Sequence, residues 1–136
     1  MTSYVLDSSA VIRYIDDEPG AARVEEILKA CVDGRAALSI SALQWGEVAG
    51  NLRSRFGAND ELRILSTILP SEVDIVPVTG ERAVRAAELK VDRKIAYADA
   101  IALELARESF DHVLVTADYG LKSVDDMARI EFLPAK

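Results

Sequence analysis

Tyr4-Val5-Leu6-Asp7-Ser8-Ser9-Ala10-Val11-Ile12-Arg13-Tyr14-Ile15 decides the fold of this chain. Tyr4 to Leu6 reads as a short buried strand, and Ser8 to Ile15 as a helix that opens directly after it. Asp7 closes the strand. In an open α/β sheet that position, just outside the carboxyl end of a strand, is where ligands bind.

The rest of the chain repeats the alternation. Asp16-Asp17-Glu18-Pro19-Gly20 ends the first helix and starts a second, with acids favoured at the positive end of the helix dipole. That helix spans Ala21 to Val32 and stops at Asp33-Gly34. Ala37 to Ile40 is a second strand, and Ser41 is a natural N-cap for a third helix ending near Phe56-Gly57. Asn59-Asp60 caps a fourth helix through Leu69, halted by Pro70. Val73 to Val78 reads as a strand, and Pro77 inside it predicts an edge position or a strand end. Thr79-Gly80-Glu81 opens a fifth helix, Ala96 to Arg107 is a sixth, and Val113 to Val115 and Ile130 to Leu133 are the last strands. Helices between consecutive strands imply parallel crossovers. The expected fold is therefore α/β, a three-layer α/β/α sandwich around a mainly parallel sheet.

Length and composition agree. A chain of 136 residues with no linker, internal repeat or low-complexity stretch reads as one domain over 1–136. Half of it is hydrophobic, yet no window holds the roughly 18 unbroken apolar residues of a membrane span. Met1-Thr2-Ser3 leads straight into a strand without a basic leader, so a cytoplasmic location with no membrane association is expected. The single cysteine, Cys31, excludes an internal disulfide and falls in register with Val24, Ile27 and Leu28 on a core stripe. The single histidine, His112, stands just before a strand with no Ser or Cys nucleophile arranged with it, which argues against a histidine-based triad. The net charge of −7 opposes broad attraction to nucleic acid. A nuclease that binds through cations and a local basic rim remains compatible with it, and Arg53, Arg55, Arg82, Arg85, Arg93 and Lys94 are the candidates for that rim or for ordinary solvated surface.

Four carboxylates stand where such a fold gathers its chain ends: Asp7, Glu47, Asp99 and Asp118. Each has an ordinary reading beside a functional one. Asp7 is placed to cap the first helix. Asp118, in Thr116-Ala117-Asp118-Tyr119-Gly120, follows a buried strand and is also a turn-forming Asp before a glycine. Asp99 shares a helix face with Ala102, Leu103 and Ala106, where a carboxylate is costly unless paired or coordinated. Glu47 points away from the stripe of Trp45, Val48, Ala49, Leu52 and Phe56, as a solvent-exposed residue would.

The whole arrangement carries more than its parts. Val5-Leu6-Asp7-Ser8-Ser9-Ala10, Trp45-Gly46-Glu47-Val48, Tyr97-Ala98-Asp99-Ala100-Ile101-Ala102 and Val115-Thr116-Ala117-Asp118 resemble, in order and spacing, the four acidic motifs of PIN-domain ribonucleases, and above all the VapC-like toxins of bacterial toxin-antitoxin pairs. The resemblance implies that Asp7, Glu47, Asp99 and Asp118 form one acidic, metal-binding and catalytic cluster, with Ser9 and Thr116 as hydroxyls that orient it. Two departures bear on pocket shape: Trp45-Gly46 replaces a small polar lead, and Tyr119-Gly120-Leu121 lacks the aromatic usual shortly after the last acid.

Hard cations such as Mg²⁺ and Mn²⁺ prefer oxygen ligands, and one or two of them can serve in-line phosphodiester hydrolysis. The resemblance therefore implies an RNA substrate, one or two Mg²⁺ or Mn²⁺ ions, a small cognate antitoxin and a homodimer. A PIN nuclease outside a toxin-antitoxin pair fits the same motifs. A phosphatase or receiver domain fits less well: Ser9 stands where a haloacid-dehalogenase-like enzyme has a second Asp, and Val76-Pro77-Val78-Thr79 offers no phospho-acceptor. A non-enzymatic interaction module would use these acids only as caps and surface.

Overall fold

A computed structural model describes residues 1–136. The elements are β1 (Thr2–Leu6), α1 (Ser8–Ile15), α2 (Ala21–Val32), β2 (Ala36–Ser41), α3 (Ala42–Phe56), α4 (Ala58–Leu65), β3 (Asp74–Val76), α5 (Gly80–Arg93), α6 (Tyr97–Ala106), β4 (His112–Thr116), a 3₁₀ stretch (Tyr119–Val124) and β5 (Arg129–Phe132). All four strand pairings are parallel, in the order β3-β2-β1-β4-β5. This is the α/β sandwich that the alternation predicts.

The order places the site. The chain starts at the sheet centre with β1, builds outward through β2 and β3, then crosses back to lay β4 on the other side of β1. Leu6 is level with Ile40 on one flank and Val115 on the other. Connections leaving β1 and β4 therefore diverge, and the crevice between them opens at the carboxyl edge.

Alternation along the central strands builds two cores. Leu6 and Val115 pack with Val11, Ile27, Leu38 and Leu52 on one face, whereas Val5 and Leu114 pack with Ala86, Ile101, Leu103 and Leu121 on the other. Cys31 lies in the first of these, as its register predicts. The helix α6 is buried nearly all round, Glu104 included. No helix is long and apolar enough to cross a membrane.

Departures from expectation fall at element ends. The Val73–Val78 run yields only three paired residues, Asp74–Val76, at the sheet edge, because Pro77 has no N–H for the ladder. Helix α4 stops at Leu65 rather than Leu69. His112 is the first residue of β4 rather than its predecessor. Asp118 opens a 3₁₀ stretch that periodicity does not predict.

Candidate active site

Asp7 leaves β1 still stitched to its neighbour, its N–H donating to the Val115 carbonyl at 3.0 Å. It occupies the N-cap position of α1, yet its side chain caps nothing. Asp7 Oδ2 instead accepts from Ser9 Oγ at 2.7 Å and from Thr116 Oγ1 at 2.8 Å. Both hydroxyls are fixed in turn, Ser9 Oγ accepting the Ala117 N–H at 2.9 Å and Thr116 Oγ1 the Asp118 N–H at 2.9 Å. A hydroxyl carries one proton, and in both it is committed to Asp7. The 3.2 Å approach of the two hydroxyl oxygens is thus a contact with no proton between them. The β1 and β4 ends are locked around one carboxylate oxygen, which leaves Oδ1 clear of both hydroxyls.

Asp118 fills its turn role as well as facing the site. Its Oδ1 accepts the Gly120 N–H at 2.8 Å and opens the 3₁₀ stretch. Gly120 lies against two acids: a Cβ there would stand 3.0 Å from Asp118 Oδ1 and 3.8 Å from Asp99 Oδ2. Asp99 enters from the first turn of α6 and faces Asp118 across the cleft. Glu47 comes from the middle of α3, and its Oε1 accepts from Ser8 Oγ at 3.0 Å. Its helix stripe predicts exposure, which holds, but the solvent it meets is the cleft.

All four acids, with Ser9, line one cleft of about 610 Å³ that also holds Arg13, Glu18, Asn51 and Lys136. None of the four enters an ion pair. Burial pushes the Asp7 carboxyl above its ordinary range, against the lowering effect of its two hydroxyl partners. Burial also raises Glu47, opposed by Ser8 and reinforced by the charges of Asp7 and Asp118. Asp99 is pushed up to about 7, first by burial, then by its neighbour Asp118, then by the repulsion of Asp7 and Glu47.

That donor set fits a hard divalent cation. No three acids close tightly enough to make a ready-made cage. Mg²⁺ does not demand one, because it keeps several waters and takes one or two carboxylates.

The candidate rim residues lie elsewhere. Arg53 pairs with Glu61, Arg55 with Asp16, Arg82 and Arg85 with Glu104, and Arg93 with Asp126. Lys94 adopts the left-handed conformation that ends α5. None of the six lines the cleft. Periodicity missed Gln44, which is fully buried, donates from Nε2 to the Ala98 carbonyl at 2.7 Å and accepts from Ser41 Oγ. It pins the start of α6 to α3 and so sets Asp99 relative to Glu47. The spacing Ser41-Ala42-Leu43-Gln44, that of a capping box, is the signal that marks it, and Ser41 Oγ accepts the Gln44 N–H at 3.1 Å.

Comparison with known proteins agrees with this fold. The chain is similar in structure to VapBC2 from Rickettsia felis bound to a promoter DNA fragment, with a TM-score of 0.73 at 16% identity over 97% of this chain and 99% of the other. It is similar to VapC20 of Mycobacterium tuberculosis, a sarcin-ricin loop cleaving toxin, with a TM-score of 0.68 at 15% identity over 89% and 94% of the two chains. It is also similar to PAE2754 from Pyrobaculum aerophilum, with a TM-score of 0.64 at 25% identity over 95% and 90%. A search of the curated proteins finds no match. The model of the PIN domain matches residues 4–127, from the first strand through the last of the four acids, and the chain belongs to the PIN domain family.

Proposed function

We propose that this protein is a metal-dependent endoribonuclease that hydrolyses RNA phosphodiester bonds, and the toxin of a toxin-antitoxin pair. The observation that carries the reading is four carboxylates, two from the ends of β1 and β4 and two from α3 and α6, lining one cleft with no cation paired to any of them. Evolution rarely leaves like charges together without a ligand to relieve them, since at about 4 Å each such pair repels by roughly 4 kcal/mol at an effective dielectric near 20.

Asp7 and Asp99 are the principal ligands of one or two Mg²⁺ or Mn²⁺ ions in this reading, and Glu47 and Asp118 complete the set or position the attacking water. The bound ions would supply Lewis acidity and charge stabilisation at the scissile phosphate. Ser9 and Thr116 hold Asp7 in one orientation through their two hydrogen bonds. Ser8 steadies Glu47, and Gln44 keeps the two ligand-bearing helices in register.

Membership of the PIN family and likeness to VapBC complexes support a small antitoxin as partner, whose cationic segment would enter the acidic cleft. A homodimer and a cytoplasmic location complete the reading. The direct test incubates a mixed tRNA and rRNA pool with purified protein in Mn²⁺, beside EDTA and an Asp7→Asn variant. Fragments that need both the metal and Asp7 are expected; cleavage that survives either removal contradicts the assignment.

A further inference from the structure

A chain of net charge −7 whose cleft is lined by five carboxylates, Glu18 among them, has to attract a polyanion from somewhere, and the arginines that sequence offers for this do not line the cleft. The cations that line the cleft are Arg13 and Lys136.

Arg13 is buried and already engaged. Its Nη1 donates to the Pro19 carbonyl at 2.6 Å and to the Pro134 carbonyl at 2.7 Å, clamping the turn after α1 to the segment after β5. That segment is fastened at successive residues. The Leu133 N–H donates to the Thr116 carbonyl at 2.8 Å, and the Leu133 carbonyl accepts from Tyr119 Oη at 2.6 Å. The Leu133 side chain fills the space at Gly20, where φ is +97° and a Cβ would come within 2.8 Å of it. Segments that leave the last element of a domain fray unless tied down, and this one is tied across the site. The result sets the Lys136 ammonium at the cleft, 2.6 Å from Glu18 Oε2.

We propose that Lys136 is a substrate-binding residue of the acidic cleft, contacting a backbone phosphate of single-stranded RNA, with Glu18 holding the ammonium until the phosphate displaces it. This rests on the reading of the cleft as a ribonuclease site. The Lys136 side chain is 62% exposed, so its pair with Glu18 is of the exposed kind, worth about 1 kcal/mol or less. A phosphodiester oxygen therefore displaces Glu18 at little cost. Arg13 acts at one remove, as the positioning residue that keeps residues 134–136 beside the acids. A contact made alike in the bound state and the transition state changes KM and leaves kcat alone.

The test measures cleavage of a labelled single-stranded RNA oligonucleotide in Mn²⁺, as kcat and KM over a series of salt concentrations, for wild type, Lys136→Gln, Lys136→Arg and Glu18→Gln. Lys136→Gln is expected to raise KM about fivefold with kcat within twofold, and to flatten the dependence of log KM on log salt by about 0.7, the loss of one phosphate contact on a single strand. Lys136→Arg should restore KM, and Glu18→Gln should lower it about twofold by freeing the ammonium. A structural role for Lys136 would show as a lowered Tm with an unchanged salt slope. A Lys136→Gln variant with wild-type KM and salt slope overturns the proposal alone. A wild type that neither binds nor cuts the oligonucleotide withdraws the ribonuclease reading itself.

Discussion

Asp99 and Glu104 stand on the same helix, α6, and the protein treats them in opposite ways. Glu104 is buried beneath α5 and met by two guanidiniums, Arg82 Nη1 at 3.1 Å and Arg85 Nε at 3.0 Å. Asp99 is half-buried, shares its cleft with Asp7, Glu47 and Asp118, and enters no ion pair. A fold that neutralises one carboxylate so fully is able to neutralise the other. That it does not do so fits the proposed reading, in which the Asp99 end of the helix receives a charge from outside and the Glu104 end is structural.

Exchanging the charge at each end is the strongest way to break this contrast. In the proposed reading Asp99→Asn removes a metal ligand, so it should lower RNA cleavage by about 10²–10³-fold and leave metal-free Tm equal or higher. Activity against RNA and a melting curve without metal check both halves. Glu104→Ala should do the reverse, leaving activity per folded molecule near wild type. It strands Arg82 in a largely closed site, and part of the loss is softened because Arg82 also reaches Glu108 at 2.9 Å and Arg85 is half-exposed. A destabilisation of about 2 kcal/mol, or some 6 °C in Tm, follows.

The smallest effect is the dependence of stability on pH. Folding raises Asp99 from its ordinary 3.8 to about 7, so between those values the folded protein keeps a proton that the unfolded chain releases. Stability must then fall as pH rises through that window, the penalty being absent below the ordinary value and complete above about 7. Asp7 and Glu47 are also raised and act in the same direction. Metal-free wild type should therefore lose a few degrees of Tm between about pH 5 and pH 8, roughly 3 °C more than Asp99→Asn does. A wild type that gains stability across that range would contradict the uncompensated cluster.

What the sequence makes legible follows from which interactions are local. The strand-helix alternation is local, so the three-layer fold, the parallel sheet and the edge position of the Pro77 strand can be read from it. Asp7 and Asp118 can be read as strand-end acids, and Asp99 as an acid out of place among alanines and leucines. Glu47 cannot be raised above a surface residue by its own helix, because its periodicity is that of exposure, and only the motif order singles it out. Partners across elements are invisible to periodicity. Gln44 reaches Ala98, and Arg13 reaches Pro134, through contacts that no window of the chain contains. The same blindness explains the basic rim: Arg53, Arg55, Arg82 and Arg93 have no acid at pairing distance along their own helices, and Arg85 has Glu81 and Glu88, yet all five pair with an acid on another element. Glu104 lies off the Asp99 face, and its burial under α5 with Arg82 and Arg85 is a contact between elements that periodicity does not carry.

The measurement that tests the central claim most directly is calorimetric titration of Mn²⁺ into metal-free wild type, Asp99→Asn and Glu104→Gln near pH 6.5, repeated in two buffers of different ionisation enthalpy. Wild type and Glu104→Gln should bind the ion with saturable heat and release protons, because Asp99, raised to about 7, is largely protonated near pH 6.5 without metal. Asp99→Asn should bind at least about tenfold more weakly and release fewer protons. Saturable binding that is the same in all three proteins, or no binding in wild type up to millimolar metal, would contradict the assignment of the acidic cleft as the metal centre.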